Sequence, residues 1–325
     1  MFAKFAARFA APLFLTSLFA FSCALAQDYP SKPVRFIVPF PPSGSADILA
    51  RLIADKLTVT LGQSLIVENR PGAGGSLGAD IVAKGPADGH LLLYANTSLA
   101  INPSLYKTLP YDTAKAFAPV INMVFIPNFI LVAEEVPANS IADLVRLAKA
   151  SPGKLNYSSP GNGTFPHLAI ELFKLHGGIN LVHIPYKGAA AALQALVAKE
   201  VQVLSNDLLT ALPHVKSGRI KALAITGTTR SSAAPDVPTM AEARFKDYSA
   251  VGWQGIMVAA GTPAPVIARL NAEIGKVLAD PALRERFASQ GLEIVGGTPQ
   301  QFGEFIRRDT EKWREAVTAS GAKLD

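Results

Sequence analysis

Apolar and polar positions along the chain switch repeatedly between two periods. Residues 34–38, VRFIV, form a short β-branched run and read as a strand. A turn-rich stretch from Pro39 to Ser45 follows. Then Ile48, Leu49, Leu52, Ile53 and Leu57 recur at helical spacing up to Gly62. The pattern continues with a strand at 65–67, a turn at Asn69-Arg70-Pro71-Gly72, a short helix after Gly78 and a strand at 91–94. Farther on it predicts strands at 128–132, 156–158, 181–184, 201–204 and 221–226. Helices are predicted at 140–149, up to 176, and at 189–199 and 208–217. The first of these opens on Ser140-Ile141-Ala142-Asp143, which resembles a capping box.

The C-terminal part changes character. After a strand-like run at 253–259, helix starts are marked by Thr262-Pro263, Asp280-Pro281 and Thr298-Pro299-Gln300-Gln301, where proline fits the first turn. Strand–helix alternation predicts an open α/β sheet. Two such sets occupy 28–124 and 128–250, and the C-terminal helices have little sheet of their own to cover. The simplest arrangement returns them to the first set. This gives two lobes, 27–126 with 251–325 and 127–250, joined by crossings near 125–127 and 250. Two lobes with a cleft between them favour hinge closure on a ligand.

The first 26 residues belong to neither lobe. Lys4 and Arg8 precede an uncharged run from Phe9 to Phe21, and Ala24-Leu25-Ala26 is an A-x-A site, the pattern of a cleavable export signal. The run is shorter than the ~20 residues of a spanning helix. The rival, a lipid anchor on Cys23, wants a Leu-like residue three places earlier, where Ala20 stands. Cleavage after Ala26 removes Cys23, the chain's one cysteine, and leaves an exported protein with no disulfide framework. It also removes two basic residues and no acid, so the formal charge falls from +6 to +4. The remaining Lys and Arg are spread singly, and the pairs Arg284/Arg286 and Arg307/Arg308 fit solvated helix faces. No nucleic-acid partner is expected.

Ligands of open α/β sheets bind beyond the carboxyl ends of strands. Two loops lie there, each ahead of a helix. The first carries Phe40, Ser43, Gly44, Ser45, Ala46 and Asp47, and the second carries Ser159, Gly161, Asn162, Gly163 and Thr164. Small residues let backbone N–H groups approach a ligand, and a helix N-terminus favours negative charge. The pair suits a small carboxylate, with Phe40 as an apolar wall. Asp47 has two readings: a first-turn acid complementing the helix dipole, or a site residue acting through its backbone or a water. Catalytic motifs are missing. Gly72-Ala73-Gly74-Gly75-Ser76-Leu77-Gly78 misplaces the third glycine of a dinucleotide fingerprint, and there is no phosphate-binding P-loop, nucleophile elbow or H-E-x-x-H pair. No cofactor and no metal are expected.

From the first loop outward, the sequence resembles the solute-binding proteins of tripartite tricarboxylate transporters, the Bug family. Its markers run in order: Tyr29-Pro30-Ser31-Lys32-Pro33, Ile37-Val38-Pro39-Phe40-Pro41-Pro42, Val67-Glu68-Asn69-Arg70-Pro71-Gly72-Ala73-Gly74-Gly75 and Pro86-Ala87-Asp88-Gly89. Then come Tyr111-Asp112, Phe117-Ala118-Pro119-Val120, Pro152-Gly153-Lys154-Leu155-Asn156-Tyr157, Gly161-Asn162-Gly163-Thr164, His167-Leu168 and Glu171-Leu172-Phe173. His183-Ile184-Pro185-Tyr186-Lys187-Gly188 and Pro235-Asp236-Val237-Pro238-Thr239 complete the set.

The resemblance implies a two-lobed type II periplasmic binding protein fold, the Venus-flytrap. It implies a monomeric receptor, not an enzyme, that captures a small organic acid and hands it to membrane transporter subunits of the tripartite tricarboxylate type. It also implies that Thr97 and Ser98, and the turn at Ser205-Asn206-Asp207, border the cleft. The chain departs from the family in the first loop, where Ser43-Gly44-Ser45-Ala46-Asp47 replaces a second glycine and the usual Pro-Thr-Asp. It departs again at Asn206-Asp207, where the family often has Asp then Asn. The alternatives are a receptor that presents its ligand to a sensor protein, and a periplasmic hydrolase using Ser159 or Ser43 with His167.

Overall fold

A computed structural model describes residues 29–320 and 323, apart from 228, 247 and 249. The export-signal reading of 1–26 therefore lies outside the described residues.

The alternation read from the sequence is present. The strands β1 Val34–Val38, β2 Leu65–Asn69 and β3 Leu91–Asn96 are linked by the helices α1 Ser45–Leu61 and α2 Ser76–Ala83. They lie parallel in the order β2-β1-β3. Next come α3 Thr97–Leu105 and β4 Phe117–Ala133. A second series runs α4 Ile141–Ala150, β5 Asn156–Ser159, α5 Phe165–Gly177, β6 Val182–Pro185, α6 Ala189–Val197, β7 Val203–Asp207, α7 Leu208–Lys216 and β8 Ile220–Ile225. The chain ends with β9 Val251–Ala259, α8 Ala264–Ala279, α9 Pro281–Ser289, β10 Glu293–Gly296 and α10 Pro299–Ser320.

One strand joins the two series. The first part of β4, Phe117 to Pro127, pairs antiparallel with β9, while Asn128 to Ala133 pairs with β7 and β8. The strand order is β2-β1-β3-β9-β4-β7-β5-β6. The sequence predicts a strand only at 128–132, because Pro119, Asn122 and Pro127 interrupt the apolar run. The strand absorbs the first two with shifts of register between Pro119 and Ile121 and between Asn122 and Val124. Bulges are where an antiparallel ladder tolerates a residue without an N–H. Residues 125–127 lie inside this continuous strand rather than in a linker.

The other differences are local. The sequence pattern does not predict α3 or β10; α3 carries Pro103 within it. Residues 205–207 complete β7 instead of turning. Buried side chains fill two apolar clusters on the faces of the sheet, one with α1, α8 and α9 and the other continuing into the second series. Among the described residues, no helix is long and apolar enough to cross a membrane.

Close packing holds the first loop in place. A Cβ at Gly78 would stand 2.8 Å from the Arg70 carbonyl oxygen and 2.9 Å from the Pro39 Cα. Both are backbone atoms and cannot step aside. Gly78→Ala is expected to destabilise the fold by about 2 kcal/mol despite alanine's better helix propensity, read as a lowered urea midpoint.

Candidate functional site

The carboxyl ends of β1, β3, β5 and β7 lead into α1, α3, α5 and α7. Their junctions border one cavity. Of the residues singled out from sequence, the cavity wall contains Phe40, Gly44, Ser45, Ala46, Thr97, Ser98, Thr164, Asn206 and Asp207. Gly161 and Asn162 line an adjoining hollow, which shares Phe40, Pro41, Pro160 and Thr164 with the cavity. Ser43, Asp47, Ser159 and Gly163 line neither. Asn96, Ile126, Asn128, Phe165, Trp253 and Gln254 also line the cavity, and sequence reasoning does not find them.

In the first loop, Asp47 is a clamp. It is buried, and its carboxylate accepts the Ser43 N–H, the Arg51 Nε and the Asn69 Nδ2, each at 3.0 Å. The Asn69 Nδ2 also donates to the Phe40 carbonyl at 3.0 Å. Burial pushes the Asp47 carboxyl up, but these donors outweigh it and hold it below the usual carboxylate range. Ser43 is exposed and takes a left-handed φ of 69° at the tip of the turn.

The second loop is held from beneath. Ser159, fully buried, lies 2.6 Å from His183 Nε2, and its Oγ accepts the Gly161 N–H at 3.2 Å. The Thr164 hydroxyl donates to the Gly161 carbonyl at 2.7 Å, and the Gly163 N–H donates to His167 Nδ1 at 3.3 Å. The serine thus pairs with His183 rather than with His167. The two imidazoles stack at 4.2 Å, and His183 stacks on Tyr157 at 4.7 Å. The strand β6 that carries His183 has no buried residue, and nothing in its local pattern marks the histidine for this role.

This stack makes stability depend on pH. Burial, then the nearby Lys174 charge, lowers His167 to about 4. Burial, then the neighbouring His167, lowers His183 to about 3. An unfolded histidine titrates near 6.5. Between these values the unfolded chain binds more protons than the native one. The stabilisation is complete above about pH 6.5 and is lost as pH falls toward 4. At pH 5 the loss should reach about 2 kcal/mol for His167 and less for the more accessible His183, measured by urea unfolding at pH 7.5 and 5. Replacing both histidines by glutamine should flatten that slope.

The chemistry of the cavity follows from its helix ends. Five N-termini border it: α1 through Gly44, Ser45 and Ala46, α3 through Asn96 to Ser98, α5 through Thr164 to Pro166, α6 through Ala189 and α7 through Asp207. The α3 end is capped by Asn96, whose Oδ1 accepts the Ser98 N–H at 3.0 Å. The α7 end is capped by Asp207, which accepts the Thr210 N–H at 3.0 Å. The caps Gly44, Thr164 and Gly188 of α1, α5 and α6 make no side-chain bond to their helices. First-turn N–H groups on those three helices are left without intrahelical acceptors. Among the described lining residues there is no Lys, Arg or His. Positive potential in the cavity therefore comes from backbone dipoles, which suits a compact anion. The one acid among the described lining residues is Asp207; burial raises its carboxyl above the ordinary value, partly offset by hydrogen bonds from Thr210 and Ser45.

Known proteins share this architecture. BugT of Bordetella pertussis is 38% identical over 301 residues, covering 92% of this chain and 92% of that protein. The solved periplasmic binding protein BugD is 32% identical with a TM-score of 0.87, covering 91% of this chain and 100% of that one. Rpa4515 of R. palustris, solved with adipate, is 33% identical with a TM-score of 0.88, covering 91% of this chain and 100% of that one. The fold is that of the periplasmic binding proteins. Residues 49–322 match the family described as tripartite tricarboxylate transporter family receptor, TctC. The chain belongs to that receptor family, the TctC or Bug family.

Proposed function

We propose that this protein is a periplasmic receptor that captures a small carboxylated solute between two lobes, 27–126 with 251–325 and 127–250, and delivers it to a tripartite tricarboxylate-type membrane transporter. The observation that carries the reading is the convergence of three uncapped helix N-termini on a cavity whose described wall holds no basic side chain. Such a site binds a carboxylate by hydrogen bonds already in place, without ordering a long basic side chain. Phe40, Ile126, Phe165 and Trp253 supply apolar wall for the ligand's carbon skeleton. Adipate bound to Rpa4515 supports the substrate class. The leader pattern supports export, and the protein acts as a monomer whose lobes close on the ligand.

The test is a thermal-shift screen on protein unfolded and refolded to strip bound ligand. The panel holds mono-, di- and tricarboxylates, aromatic acids, and neutral sugars and polyamines as controls. A carboxylate at about 100 times its dissociation constant should stabilise the fold by ~2.7 kcal/mol. Stabilisation by sugars or polyamines with none by any acid would overturn the assignment. Transport is tested separately, by uptake of the best acid in cells with and without the receptor.

A further inference from the structure

Beneath the second loop, Tyr157 of β5 and His183 of β6 are partners in the parallel ladder, so their rings share a face of the sheet. Ser159 follows Tyr157 by two residues and turns to the same face. His167, in the first turn of α5, covers that face and completes the stack. Each imidazole meets the loop through one nitrogen. Ser159 Oγ has one proton and three neighbours. It accepts the Gly161 N–H at 3.2 Å, and it lies 3.1 Å from the Gly161 carbonyl and 2.6 Å from His183 Nε2. The Gly161 carbonyl already accepts the Thr164 hydroxyl at 2.7 Å and the Thr164 N–H at 3.4 Å. The serine proton therefore goes to the closer nitrogen, which makes His183 Nε2 an acceptor and puts that ring's proton on Nδ1. His167 is the reverse: its Nδ1 accepts the Gly163 N–H at 3.3 Å, so its proton sits on Nε2.

The surroundings keep both rings neutral. Burial acts first, followed by the Lys174 charge on His167 and by His167 itself on His183. Glu171 pulls His183 the other way, but its Oε1 is taken by Lys174 Nζ at 2.7 Å and by the Tyr157 hydroxyl at 2.5 Å. The loop needs such support. Gly161 and Gly163 hold φ of 134° and 74°, and glycine is the residue that loses most freedom on being fixed. Thr164 and Phe165, where the loop becomes α5, line the cavity, while neither histidine does. Resting on the reading of the cavity as a carboxylate receptor, we infer that His183 and His167 are positioning residues: two neutral imidazoles in opposite tautomers, each accepting one hydrogen bond from the second loop, hold that loop in the shape the ligand meets. They act through Ser159 and Gly163.

The first test needs neither variant nor ligand. NMR of the intact protein, labelled at its histidine nitrogens and held at neutral pH, should show His183 protonated on Nδ1 alone and His167 on Nε2 alone. The second is calorimetric titration of ligand-stripped protein with succinate, adipate, citrate and benzoate, the tightest being carried through the variants. His183→Phe keeps a ring in the stack but offers no acceptor, and affinity should fall about tenfold, the equivalent of one lost hydrogen bond. His183→Gln, whose amide oxygen reaches the Nε2 position, should recover most of that loss. At His167 the corresponding pair is Phe and Asn, because the Asn oxygen stands near Nδ1. Ser159→Ala should lose as much as His183→Phe, and the double variant no more than either, since both break one bond. Should the Phe variants not fold, the wild-type tautomers and Ser159→Ala decide the matter. Either histidine charged or in the other tautomer would overturn the inference. So would Phe variants or Ser159→Ala binding as tightly as the wild type, which would leave the rings as packing alone. Both results leave the carboxylate reading standing. If none of the four acids binds the wild type, that reading fails for them and the inference falls with it.

Discussion

Asp309→Ala is expected to lower stability by about 4 kcal/mol. Asp309 is buried on α10, and its Oδ2 accepts both indole N–H groups of the chain, Trp253 at 2.7 Å and Trp313 at 3.1 Å. Lys312 Nζ closes on its Oδ1 at 2.7 Å. Alanine leaves two buried donors without an acceptor, at about 1–3 kcal/mol each, and takes the carboxylate away from the lysine. The substitution Asp309→Asn keeps one acceptor and should cost about half as much. The readout is built in, because the two tryptophans are both partners of Asp309. Urea unfolding followed by their fluorescence should show the midpoint falling with an unchanged slope. A loss below about 1 kcal/mol would mean that water reaches the indoles and that α10 is not pinned as described.

The same contact bears on binding. Trp253 lies in β9 and lines the cavity, and its backbone N–H donates to Thr97 Oγ1 at 2.9 Å. Its indole N–H points the other way in bonding terms, to the carboxylate on α10. α10 therefore supports the cavity wall from behind, by way of one side chain. Ligand binding should change tryptophan fluorescence in the wild type, and the change should weaken in Asp309→Ala.

How much of this was legible in the sequence depends on the range of the interaction concerned. Periodicity marked β1 to the residue, because its pattern is local and a turn ends it. It did not mark the whole of β4, whose 17 residues hold together through pairing with β9, β7 and β8, none of them near in sequence. Thr97 to Leu105 contains Asn102-Pro103 and reads as loop, yet packing against α10 and the Asn96 cap make it helical. In the site, strand-end loops could be named because the rule that places ligands there is topological. Trp253, Gln254 and Asn128 could not, since their facing the cavity depends on which distant strands pair. The roles of Asp47 and Ser159 were also hidden: both sit in the chosen loops, and both spend their side chains holding loop backbone.

Gly44→Asp should separate binding from stability. Gly44 is the N-cap of α1, with φ −88° and ψ 171°, a conformation any residue adopts. A Cβ there would meet Ala189 Cβ at 3.8 Å and the Pro41 carbonyl oxygen at 4.0 Å, ordinary contacts. Aspartate is among the preferred N-caps, and its carboxylate can accept the first-turn N–H groups that glycine leaves free. Stability should hold or rise by a few tenths of a kcal/mol. The same carboxylate would occupy the donors proposed for the ligand and set a negative charge in a cavity that lacks basic side chains in its described wall. Carboxylate affinity should therefore fall about 100-fold or more, roughly the loss of one charge-assisted hydrogen bond plus direct repulsion. Gly44→Asn offers a neutral cap that occupies the same donors without the charge, and should cost less affinity than Gly44→Asp. If Gly44→Asp binds acids as well as the wild type, the α1 N-terminus does not hold the ligand's carboxylate. Equal losses in the Asp and Asn variants would point to occupied donors or crowding instead of charge.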